Sequence, residues 1–126
     1  MTITCEFPIE VTSEDINDIM CSAMEGGVTT LWVHQFEAKE GTWNSQFPSE
    51  HVGNGGTVIF HLGKEGDFEV TKQTLIDGFA KYIHTTNNLN FLYFDGRTIK
   101  VDTGQIDAIV ADNIIQLGLF DSIEFS

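Results

Sequence analysis

Between positions 14 and 25 the apolar residues Ile16, Ile19, Met20, Ala23 and Met24 recur three and four apart, the spacing of a helix with one buried stripe. Thr12 or Ser13 is a suitable N-cap for that helix, and Gly26-Gly27 is a typical stop. Before it, residues 2–7 (TITCEF) alternate as a strand that Pro8 breaks or edges. After it, residues 28–36 (VTTLWVHQF) are rich in β-branched and aromatic types and predict a second strand. A polar stretch then runs from 37 to 56, long enough to be functional or to hide a short element, with a turn of helix expected at 48–52.

The second half repeats the same alternation of periods. TVIFHL (57–62) and FEV (68–70) flank GKEGD and predict a hairpin. Thr71 caps a helix whose face carries Leu75, Ile76, Phe79 and Ile83. In NFLYFDGRTIKV (90–101), Asp95-Gly96 fits the two-residue turn of a type I′ hairpin. Asp102 or Thr103 is expected to cap a last helix with Ile106, Ile109, Val110, Ile114 and Leu117 on its apolar face. Gly118 would end that helix, and SIEF (122–125) would close the chain as a short strand. Hairpins instead of repeated βαβ units predict an α+β fold, a mostly antiparallel sheet with about three helices packed on it. With no repeat, linker or low-complexity tract, residues 1–126 read as a single domain.

Charge changes this picture most. Nineteen acids face six bases, a net charge of −13 and a pI near 4.3, and no lysine or arginine precedes Lys39. Ten phenylalanines and a 41% hydrophobic content exclude an acidic disordered tail. A small domain needs a charge of magnitude only about 2–8 for solubility, so the excess points to a basic protein partner. It argues against direct binding to nucleic acid or to an anionic membrane, both of which it repels. On the first helix Asp15, Asp18 and Glu25 line the side opposite the apolar stripe, and Glu14 and Asp15 also suit the helix N-terminus. Glu14, Asp15, Asp18 and Glu25 are therefore the candidate partner-binding residues; the plain alternative is a solvated helix face.

The opening residues lack a positive n-region, no segment is long and apolar enough to span a bilayer, and Cys5 and Cys21 form no recognisable disulfide framework. A cytosolic protein with reduced thiols is expected. His34 and His61 fall in strands that would be neighbours, with His51 in the loop between them. Together with Cys21 they are candidate zinc ligands, although their spacing matches no named motif. Histidines in strands also occur simply as half-buried, hydrogen-bonded side chains. No GxSxG, HExxH or Walker sequence occurs, and the glycine-rich VGNGGT (52–57) precedes a strand where a phosphate site needs a helix. A non-enzymatic role follows, the rival being a small zinc-dependent enzyme built on His34, His51 and His61.

The segments EVTSEDINDIMCSAMEGG (10–27), GGTVIF (55–60), LIDGFAKYI (75–83) and QIDAIVADNIIQLGLFDSIEF (105–125) resemble small acidic proteins carried by phages and mobile elements of Gram-positive bacteria. That family includes anti-CRISPR inhibitors of type II Cas9. The shared positions are caps and core faces, not catalytic signatures. The resemblance implies an inhibitor at work in the cytoplasm of an infected bacterium, binding a basic channel that otherwise holds guide RNA or target DNA. An immunity or antitoxin protein that neutralises a basic nuclease uses the same electrostatics.

Overall fold

The computed structural model describes residues 8–42 and 48–125; the strand expected at 2–7 and Cys5 lie outside them. The described residues form an α+β fold of four helices and two three-stranded sheets. One sheet has the order β1(Ile9–Glu10), β6(Thr98–Val101), β5(Leu92–Asp95), with β1 parallel to β6. The other is an antiparallel meander of β2(Gln35–Ala38), β3(Val58–His61) and β4(Asp67–Val70). Strand period places Phe36, Phe60 and Phe68 in one cross-strand row on the inner face, with Gln35, His61 and Asp67 in a row on the outer face.

Helix α1(Ser13–Glu25) begins as its sequence predicts. Thr12 Oγ1 accepts from Asp15 N (3.0 Å) and Asp15 Oδ2 accepts from Thr12 N (2.9 Å), a reciprocal capping box. Ile16, Ile19, Met20 and Ala23 are its buried face. The short helix α2(Pro48–His51) stands where a turn of helix was expected. The glycines that follow it serve packing: Gly53 N donates to Asn17 Oδ1 (2.9 Å), and a Cβ at Gly56 would collide with the His51 ring.

Helices α3(Lys72–Thr85) and α4(Ala108–Phe120) form the closest helix pair. Gly78 meets the Ile114 carbonyl and Gly118 meets the Thr74 carbonyl, so neither position has room for a Cβ. Gly118 is thus an approach point inside α4, not its end. The helix continues to Phe120 and stops at Asp121, which takes the left-handed conformation (φ 61°). It also starts later than expected: Asp107 caps it through Val110 N (2.9 Å), while Asp102 caps a separate 3-10 turn over Thr103–Gln105.

Three further elements differ from the sequence pattern. Residues 28–36 are not one strand, because Thr29–Leu31 forms a 3-10 turn that sends Thr29 and Trp32 inward. The β5–β6 register pairs Asp95 with Thr98, so the turn is Gly96-Arg97. Gly96 alone has positive φ there (67°), the pattern of a type II′ turn. Residues 122–125 form no strand, because the Gln116 side chain takes up their backbone groups: Glu124 N (2.9 Å) and Phe125 N (2.8 Å) donate to its Oε1, and its Nε2 donates to Phe125 O (2.8 Å).

Candidate functional site

The exposed side of α1 meets the 3-10 turn at 103–105 and strand β5 around an open recess of about 520 Å³. Glu14, Asp15, Asp18 and Asp102 line it with Tyr93, and no lysine or arginine is among the described residues of its lining. Three of the four carboxylates are oriented by a local donor. Asp15 accepts from Thr12 N, Asp102 Oδ1 from Gly104 N (3.1 Å), and Asp18 Oδ2 from Thr103 Oγ1 (2.8 Å). Asp18 therefore ties α1 to the loop after β6. Lys100 borders the adjoining recess with Glu10, Asp15 and Tyr93 and bridges to Asp95 (3.1 Å). Its ammonium is held above its usual range first by the hydrogen bond to Asp95, then by the charges of Asp95 and Glu10.

Glu25, the fourth acid expected on this face, lines a neighbouring recess with Asp18, Cys21 and Thr103. Its Oε2 accepts from Cys21 Sγ (3.0 Å). That hydrogen bond, with burial and the charges of Glu25 and Asp18, raises the Cys21 thiol above its usual range and disfavours the thiolate that metal binding requires.

The structure does not bring the four candidate zinc ligands to one point. His34 is exposed beside Gly63. His51 is fully buried, its Nε2 3.2 Å from Thr42 Oγ1, and burial lowers its pKa. His61 lies on the outer face of the meander with Nδ1 2.8 Å from Asp67 and Nε2 2.9 Å from Glu37, so both ring nitrogens are engaged. These bonds raise its pKa, Asp67 contributing most. Cys21 is on α1 with Glu25. Among the described residues no three His, Cys, Asp or Glu side chains gather where a metal ion could sit.

A second site lies outside the motifs of the sequence. Asp112, in the middle of α4, is 3% exposed and accepts three hydrogen bonds of 2.8 Å: Thr29 Oγ1 and Trp32 Nε1 at Oδ1, and Gln116 Nε2 at Oδ2. Gln116 in turn holds the chain end, where Phe125 stacks flat on Trp32 (4.9 Å, 1°). Beside this network lies a recess of about 690 Å³ lined by Val28, Leu31, Trp32, Ile109, Ile123 and Phe125, with Asp112 and Glu124 among its polar groups. The available signal was an acid and an amide four apart inside the apolar run IVADNIIQLGLF (109–120), which on a helix face one way together.

No protein-family model, curated protein or solved structure matches this chain.

Proposed function

We propose that this protein is a non-enzymatic inhibitor that lays the acidic side of α1 onto the basic groove of a nucleic-acid-handling bacterial protein, with type II Cas9 the first candidate. The observation that carries the reading is the recess itself. Glu14, Asp15, Asp18 and Asp102 converge from two elements around Tyr93, with no lysine or arginine among the described residues of the lining. Like charges so placed oppose one another unless countercharge arrives from outside, and the lysines and arginines of a phosphate-binding channel supply it. Tyr93, 49% exposed, offers an aromatic surface of the kind a cationic side chain or a base-stacking platform accepts. Steering by the net charge of −13 accelerates encounter, and it weakens as salt rises.

The test is inhibition of DNA cleavage by a panel of Cas9 enzymes, with a basic nuclease toxin as a parallel target. The parent protein is compared with a variant carrying Glu14→Gln, Asp15→Asn, Asp18→Asn and Asp102→Asn. The amide oxygens can still accept from Thr12, Thr103 and Gly104, so the fold is kept while four charges go. At about 0.2–1 kcal/mol for each exposed pair, affinity should fall between about fourfold and several hundredfold, and the salt dependence should flatten. Unchanged cleavage by every enzyme, or equal salt slopes for parent and variant, would refute the reading.

A further inference from the structure

The apolar recess between the 3-10 turn, α4 and residues 123–125 carries a separate inference. Leu31 is 81% exposed, Ile109 60% and Ile123 44%, and all three border this recess. They come from three different segments: the 3-10 turn, α4 and the chain end. Single exposed apolar residues need no explanation, but three large ones converging on one concavity mark an interaction site. The walls are preformed. The ring stack of Trp32 on Phe125, the indole bond to Asp112 and the grip of Gln116 on residues 124–125 hold the recess open before any occupant arrives.

Charge then selects the occupant. Asp112, whose carboxylate is already held by three donors, and Glu124 are the acids that line the recess, and no lysine or arginine is among the described residues of its lining. Lys81, which reaches the C-terminal end of α4, is already held by Asp121 and by the Leu117 carbonyl (3.3 Å). A second copy of this chain would bring another charge of −13 to the same place, so self-association there is opposed. A phosphate or carboxylate headgroup meets the same repulsion. We infer that the recess receives the apolar face of a basic amphipathic helix from a partner protein. Its large aliphatic side chains would lie against Leu31, Ile109 and Ile123, and its lysines or arginines would lie toward Glu124. This inference uses no residue of the α1 recess and stands or falls apart from it.

The experiment uses three synthetic peptides of one length: an amphipathic Leu/Lys helix, its scrambled isomer with no apolar face, and a Leu/Glu counterpart. Binding is measured by calorimetry at about 0.15 M salt, where long-range charge effects are screened. The assigned indole N–H resonance of Trp32 serves as the local reporter. The Leu/Lys helix should bind at least about tenfold more tightly than either control and should shift that resonance. Leu31→Ser with Ile109→Ser should cost about tenfold or more in affinity, and both positions are exposed enough that melting should barely change. The α1 variant with four amides should retain the Trp32 shift, which separates failure of this inference from failure of the proposed function. Equal binding of the scrambled or acidic peptide, no measurable binding, or an unaltered affinity in the Leu31/Ile109 variant would overturn it. So would sedimentation of the protein alone as a dimer that the same two substitutions dissolve.

Discussion

Replacing Asp112 by Asn should destabilise the protein far more than the loss of one charge suggests, because no arrangement of amides satisfies the site. Asp112 now meets three donors with acceptors alone. If the Asn oxygen faces Thr29 and Trp32, its NH₂ points at the Gln116 NH₂, donor against donor across 2.8 Å. Turning the Gln116 amide would repair that contact but would set its NH₂ against Glu124 N and Phe125 N, which now donate to its oxygen. Turning the Asn instead sets its NH₂ against the indole N–H of Trp32. The change loses a charge-assisted bond, worth about 1.5–3 kcal/mol, and leaves a buried donor unsatisfied at about 1–3 kcal/mol. Relief of the carboxylate's desolvation offsets part of this, leaving about 2–4 kcal/mol net, or roughly 6–20 °C in Tm for a chain of this length. Urea denaturation followed by far-UV circular dichroism measures it. Gln116→Glu in the same chain offers the Asn an acceptor while still accepting from the chain end, so the double variant should recover about 1 kcal/mol or more relative to additivity. An Asp112→Asn variant within about 0.5 kcal/mol of the parent, or a double variant that is simply additive, would refute this account.

Other expectations follow from the same structure. Gly78→Ala should cost at least about 1–3 kcal/mol, because its Cβ would overlap the Ile114 carbonyl and force α3 from α4; a Tm equal to the parent's would mean the helices part without strain. Thr12→Ala removes one half of the capping box and should cost about 1 kcal/mol, read by thermal melting. His61 has a folded pKa raised above its ordinary 6.5, so its contribution to stability is fully present below about pH 6.5 and is lost as pH rises through the folded value. His51 acts oppositely: its folded pKa is lowered, so stability falls as pH drops below 6.5. NMR titration of the two imidazoles should find them on opposite sides of 6.5. A zinc ion gathered by His34, His51, His61 and Cys21 would have to displace the partners that Cys21, His51 and His61 hold, so a chelator should leave Tm unchanged; a fall would show that a metal contributes to folding.

What the sequence determined by itself was local. The capped helix from Ser13 to Glu25, the helix begun by Thr71, the hairpins at 58–70 and 92–101 and the α+β class all rest on periodicity, caps and turns, which act over a few residues. The acidic excess was equally legible, because charge needs no fold to be counted. Tertiary structure decided what depended on distant partners. Residues 122–125 have a strand's composition, yet the backbone groups of Glu124 and Phe125 are taken up by the side chain of Gln116, and no local pattern announces that. Gly118 looks like a stop signal until α3 approaches it, and Ile109 looks like core until α4 turns its opposite side, Ala111 and Ile115, into the interior. His34 and His61 are neighbours, His34 N donating to His61 O (2.8 Å), but the rings of His51 and His61 are each claimed by other partners. Asp112 is the clearest case. One acid in an apolar run reads as a solvated interruption, and only the arrival of Thr29 and Trp32, 83 and 80 positions back in the chain, makes its burial stable. A buried carboxylate is tolerated only where donors are brought to it, and bringing them is what the fold adds to the sequence.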